Sequence, residues 1–178
     1  MMNSESVFRA LFILSFILML GIRVYYQRKV LHDQNPIHIN ENIPSLIAGS
    51  IAALTAIVFG TEYIFFHGAF PFTYILPYPA WLRWLGALML AGGITLLGSA
   101  HQHLDKNFHS FVVSKERQSL VKTGPYRSIR NPIYTAYIMN YIGGGLLAGN
   151  LVLTLVPVIM FSAMIASRIA REEAVLTE

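Results

Sequence analysis

VFRALFILSFILMLGIRVYY, residues 7–26, is the stretch on which the fold turns. At about 1.5 Å of rise per residue, a helix of this length crosses the roughly 30 Å hydrocarbon core of a bilayer. A cleaved leader carries its positive charge ahead of the apolar run and a small-residue cleavage site behind it. Here Gln27, Arg28 and Lys29 follow the run and only Arg9 stands near its start, so the segment is expected to be retained as a first membrane span. The remainder of the chain agrees. Of the 178 residues, 54% are hydrophobic and 12% charged, the composition of an integral membrane protein in one compact unit. Cysteine is absent, which removes disulfides, thiolate metal sites and a cysteine nucleophile. The net charge of +4 gathers beside apolar segments instead of forming a stripe, so nucleic acid is not an expected partner.

Outward from this run, residues 43–66 read as a second span, with Pro44 near its start where a missing N–H is harmless. Pro71, Pro77 and Pro79 break the chain, and WLRW at 81–84 reads as an interfacial aromatic anchor before a third span ending near Ala100. The block from Pro132 to about Ile169 is too long for one span and carries GGGLLAGN, residues 143–150, at its centre. It predicts a helical hairpin whose glycines let backbones approach closely. The expected fold is therefore an all-α integral membrane protein of about five transmembrane helices, the last two a hairpin. Residues 1–100 would supply three spans and 101–178 a polar loop, the hairpin and a terminal helix within a single membrane domain. Arg28 and Lys29, the six Lys and Arg between 101 and 131, and Arg168 and Arg171 all fall on one side of this scheme, while the 67–80 and 146–150 connections carry no Lys or Arg. The positive-inside rule then places the N-terminus outside and the polar loop and C-terminus in the cytoplasm.

The polar cluster TGPYRSIRNPIYTAY, residues 123–137, sits at the edge of the expected hydrocarbon. A tight-turn dipeptide, two arginines, three tyrosines and a second proline lead there into an apolar helix. The longer passage LDKNFHSFVVSKERQSLVKTGPYRSIRNPIYTAY, followed from residue 168 by RIAREEAVL, resembles the isoprenylcysteine carboxyl methyltransferase family and its relatives among the phospholipid N-methyltransferases. The resemblance covers roughly residues 100–176 and rests on Gly-Pro-Tyr, then Arg-x-Pro-x-Tyr, then a helix ending in Arg-Glu-Glu.

The resemblance implies a membrane-embedded enzyme that takes a methyl group from S-adenosyl-L-methionine. Carried over position by position, it places cofactor contacts at Gln118, Ser119, Leu120, Val121, Tyr126, Asn131, Pro132, Ile133, Tyr134 and Glu172, and a substrate-facing, catalytic role at Arg168. The chain departs from the family at Asn131, where most members have histidine; an amide hydrogen-bonds but does not titrate as a base. It also ends at Glu178 without the aromatic tail usual in the family.

Read without the resemblance, the same residues suit this cofactor. Tyr126 and Tyr134 offer aromatic faces to adenine or a sulfonium, the helix start at Pro132 offers N–H groups to a carboxylate, and Glu172 offers acceptors to a ribose diol. Methyl transfer is a displacement at an activated carbon, in which positioning supplies much of the acceleration, about 7–11 kcal/mol in well-oriented cases. A lipophilic acceptor would enter from the bilayer and the cofactor from the cytosol. Arg168 on that helix favours a carboxylate acceptor over an ammonium, because a desolvated cation requires an anion.

Each feature has a plainer alternative. Tyr126, Tyr134 and Tyr137 form an interfacial belt in that reading, Arg127 and Arg130 enforce topology or touch anionic headgroups, and Arg168 with Glu172 is an i, i+4 ion pair. His101, His103 and His109 do not share a helical face, so no metal is expected. Glu62 falls near the outer end of its span and reads as interfacial, and Gly143 to Gly145 as helix packing. Three alternatives compete with carboxyl methylation: N-methylation of a phospholipid amine, a membrane sterol-type reductase using NADPH, and a non-catalytic lipid-binding member of the family.

Overall fold

The computed structural model describes residues 4–31, 43–74, 78–104 and 123–176, with side chains for all of these except 30–31 and 169–176. Among the described residues the chain forms five α-helices: α1 (Ser4–Leu31), α2 (Ile43–Phe65), α3 (Ala80–Leu104), α4 (Pro132–Ala148) and α5 (Leu151–Leu176), with no strand. Two short 3₁₀ turns, Pro71–Thr73 and Gly124–Arg127, precede α3 and α4. Helices α1, α2, α3 and α5 each carry an apolar segment long enough to cross a membrane. The 17 residues of α4 span about 25 Å, the lower limit for a crossing helix. The hydrophobic periodicity is weak because both faces are apolar: many large side chains, among them Leu14, Ile17, Leu54, Ile57 and Leu88, point outward, as expected where the surroundings are lipid.

Side-chain contacts fix the helix directions. At one end of the bundle, Arg83 at the start of α3 donates to Glu5 at the start of α1 through Nη1 (2.6 Å) and Nη2 (3.1 Å). Its Nη2 also reaches the Tyr63 hydroxyl near the end of α2 (2.9 Å), and its Nε the Leu147 carbonyl at the end of α4 (2.8 Å). At the other end, the Tyr26 ring of α1 lies 4.9 Å from His101 of α3, and Arg168 of α5 reaches α2 and α4. The five helices thus alternate in direction. Arg83, inside the tryptophan pair expected to be an interfacial anchor, turns inward while Trp81 and Trp84 stay exposed. Four of its contacts lie on other helices, with the Phe8 ring beneath the guanidinium at 4.2 Å.

Close packing concentrates where glycines face each other. A Cβ on Gly86 of α3 would lie 2.7 Å from the Gly143 carbonyl oxygen, and one on Gly143 would lie 2.8 Å from the Gly86 oxygen. The α3 and α4 backbones therefore touch, which any larger residue forbids. The expected hairpin is present and tighter than its sequence suggests: Gly149 and Asn150 alone join α4 to α5. Gly149 adopts φ +68°, and the bonds from its N–H to Leu146 (3.1 Å) and from the Asn150 N–H to Gly145 (3.0 Å) close a Schellman turn. Asn150 then caps α5 by accepting from the Leu153 N–H (2.9 Å). Its amide donates to the Thr73 hydroxyl (3.0 Å), tying the hairpin to the preceding 3₁₀ turn. Glu62 is not interfacial in the sense expected. It is 2% exposed and accepts from the Tyr74 hydroxyl (2.5 Å) and the Gly68 N–H (2.8 Å), so it organises the loop between α2 and α3.

Candidate active site

The end of the bundle opposite Arg83 gathers the residues with chemical potential. The chain enters α4 through the turn Gly124–Arg127, where Pro125 occupies the first turn and the Pro125 carbonyl accepts from the Ser128 (3.2 Å) and Ile129 (3.0 Å) N–H groups. Gly124 holds φ +58° directly against the His103 ring, which itself is held to the Ser99 carbonyl by Nδ1 (2.8 Å). The turn is therefore seated on the end of α3, and His103 serves this packing. Among the described residues no cluster of histidines and acids is arranged to hold a metal.

Asn131 occupies the N-cap of α4 and makes no side-chain cap bond; its carbonyl accepts from the Thr135 N–H (3.1 Å) and hydroxyl (3.1 Å). Pro132, buried at the first helical position, has no N–H to satisfy. The next two amides, of Ile133 and Tyr134, lie in the first turn of an uncapped helix, where backbone N–H groups lack intrahelical acceptors. Such a helix start attracts an anion.

Tyr134 and Arg168, placed 34 residues apart in sequence, are brought together: Nη1 of Arg168 approaches the Tyr134 hydroxyl at 3.5 Å, and its Nε reaches the Ser45 hydroxyl at 3.3 Å. The Tyr134 and Tyr137 rings pack on Phe161 of α5 with centroids 6.2 and 5.4 Å apart, fixing the α4–α5 spacing beneath the cluster. Tyr126 is half-buried on the entry turn, and burial pushes its phenol up to about 12. It is a neutral hydroxyl and an aromatic face at any physiological pH. No hydrogen bond joins it to Tyr134 or Arg168 among the described residues.

Gln118, Ser119, Leu120 and Val121 lie outside the described residues, as does the side chain of Glu172, whose backbone belongs to α5 one turn beyond Arg168. Sequence reasoning missed Ser45. A serine beside a proline at the start of a span carries no signal of what α5 brings to it.

The family model for phospholipid methyltransferases matches residues 81–178, from the first turn of α3 to the last residue. The chain belongs to the phospholipid methyltransferase family. No curated protein matches it. As a family member it is a membrane methyltransferase, and the family implies S-adenosyl-L-methionine as methyl donor. The match begins at Trp81, so α1 and α2 lie outside it, and with them Ser45. The residues present fit such a donor: an uncapped helix start for its carboxylate, and two tyrosine faces, on the entry turn and on α4, for its flat or cationic parts. The methyltransferase therefore combines a matched half, carrying α3 to α5, with two unmatched helices, of which α2 brings Ser45 to Arg168.

Proposed function

We propose that this methyltransferase uses S-adenosyl-L-methionine to methylate a lipophilic acceptor delivered from the bilayer, and that the acceptor atom is a carboxylate oxygen. When bound, the cofactor supplies an electrophilic methyl on a sulfonium. The protein's share is orientation. The amides of Ile133 and Tyr134 would receive the cofactor carboxylate, Tyr126 and Tyr134 its aromatic and cationic parts, and Glu172 its ribose. Gln118 to Val121 would complete the wall. Asn131, with an untitratable side chain, would hydrogen-bond without moving a proton. Arg168 would orient the acceptor. Its bonds to the Ser45 and Tyr134 hydroxyls fix the position of the guanidinium, and a guanidinium matches a carboxylate with two parallel donors. A carboxylate is ionised at neutral pH, so no general base is required.

The observation that carries this reading is the convergence of Arg168, Tyr134 and Ser45 from three helices at the end of the bundle where α4 begins uncapped. A second acceptor, the amine of a phospholipid headgroup, is favoured by the family match; it would have to arrive neutral. A methyl-transfer assay over lipophilic acids and amines, run with Arg168→Lys and Arg168→Ala, separates the two. Acid turnover that falls in both variants with cofactor affinity intact supports the carboxylate, whereas turnover of amines alone, independent of Arg168, replaces it with the headgroup amine.

A further inference from the structure

Arg23 interrupts the apolar run of α1 about 7.5 Å, five residues, before Arg28 and Lys29. It lies outside the family match and has no part in the proposed chemistry. Its Nη1 donates to the Tyr137 hydroxyl of α4 at 3.3 Å, and among the described residues no carboxylate pairs with it. A guanidinium at this depth is costly unless an anion or water meets it.

The helical face that carries Arg23 continues toward the bundle centre as Met19, Phe16, Ser15 and Phe12, the i−4, i−7, i−8 and i−11 positions. Opposite them, α4 continues from Tyr137 through Tyr141 to Gly144. Below Arg23 and Tyr137, which do not themselves line it, the other residues of these two faces border one cleft of about 490 Å³, counted to its open side and almost wholly apolar, to which α2, α3 and α5 each add one residue. Gly144 keeps it wide: even a Cβ there would meet only Phe12, at 3.6 Å. Asn140 borders the same cleft about 4.5 Å deeper along α4 than Tyr137. It is 5% exposed, its amide is turned against Gly93 of α3, and among the described residues neither amide atom finds a hydrogen-bond partner. A cation above and an apolar slot below run in the order of headgroup charge and chain in a glycerolipid.

We propose that the α1–α4 seam is a binding site for one anionic glycerophospholipid of the surrounding bilayer, its phosphodiester on Arg23 and Tyr137 and an acyl chain in the cleft. The commitment is to a resident lipid that is not methylated: Arg23 and Tyr137 meet across α1 and α4, whereas Arg168 and Tyr134 meet across α5 and α4. This site stands whether or not methyl transfer proceeds as proposed.

The test is native mass spectrometry of the full chain in detergent with added dioleoyl phosphatidylglycerol or dioleoyl phosphatidylcholine, with monodispersity checked by size exclusion. The wild type should retain phosphatidylglycerol at least tenfold better than phosphatidylcholine. Arg23→Gln should bring the two to within about twofold, Arg23→Lys should keep part of the preference, and Ser15→Phe, which fills the slot, should lower retention of both. Arg23 is exposed, so its replacement is expected to leave the bundle intact; Tyr137→Phe, with one hydroxyl removed, gives a second reading with an intermediate loss. Equal retention of the two lipids by the wild type would mean that Arg23 only snorkels to whatever headgroup is near, and would overturn the proposal. Retention unaffected by both Arg23→Gln and Ser15→Phe would overturn it as well. So would methylation of added dioleoyl phosphatidylethanolamine that Arg23→Gln and Ser15→Phe both abolish, since the seam would then hold the acceptor.

Discussion

Tyr134 and Arg168, 34 residues apart in sequence, are neighbours in the fold. Both were marked by motif alone, and the fold sets them within hydrogen-bonding reach. Ser45, Glu5 and Tyr63 were illegible for a physical reason: each acquires its meaning from a partner far along the chain, 123, 78 and 20 residues away respectively, and no local pattern encodes such a meeting. Glu62 illustrates the same point, since an acid near a helix end looks like a solvated group until the following loop folds over it. If the aromatic face of Tyr126 and the acid of Glu172 hold the cofactor, Tyr126→Ala and Glu172→Ala should each weaken S-adenosyl-L-methionine binding at least tenfold, about 1.4 kcal/mol. Calorimetry on detergent-purified protein gives the answer, and unchanged affinity in both removes them from the site. The pH dependence is a separate check on Tyr126. Its phenol, raised by burial, stays protonated in the folded protein through the range in which an exposed tyrosine ionises, so any stability linked to it is present below the ordinary value of about 10 and is lost as pH rises through about 12. Activity measured from pH 6 to 9 should therefore show no Tyr126 ionisation, and Tyr126→Phe should keep the shape of the wild-type profile.

Elements were more legible than residues. The apolar runs announced α1, α2 and α3 to within a few residues, because about 20 apolar residues in succession have few other solutions. The hairpin was expected from its length and glycines, yet its mechanics were not: one glycine stretch serves three purposes, with Gly143 against α3, Gly145 against Thr154 of α5 and Gly149 in the left-handed turn. Periodicity marks which residues are small, not which neighbour each one faces. Asn150 joins cap, turn and loop, so Asn150→Ala should lower the melting temperature in detergent by the equivalent of about 1–2 kcal/mol. Asn150→Asp, which still accepts from the Leu153 amide but places a carboxylate at a fully buried position, should lose more. A smaller loss for aspartate than for alanine would make the cap the deciding contribution. Gly143→Leu forces a side chain into a 2.8 Å gap and should cost about 1–3 kcal/mol as an overpacked contact, with the loss read in the same melts.

For the molecule as a whole, the positive residues at the end of the bundle that holds Arg168 argue for a cytoplasmic position of the proposed site. The cysteine-free sequence makes the orientation directly measurable. Ser128→Cys, exposed at that end, should react with an impermeant maleimide only from the cytoplasmic side, and Ala69→Cys, exposed at the other, only from outside. The reverse pattern would invert the protein and remove the cytosolic route for the cofactor. Thr73, although in the same outer loop, is unsuitable as a probe because it is fully buried against Asn150. The two-residue link between α4 and α5 also bears on how the chain is made. Helix α4 is the shortest of the five, and Gly149 and Asn150 leave no room for either partner to wait on the far side of the membrane. The two helices should therefore pass from the translocon into lipid as one unit. A nascent chain halted at residue 150 should still slip back toward the ribosome, whereas one extended through α5 should be held, and glycosylation mapping of the two truncations would show the difference.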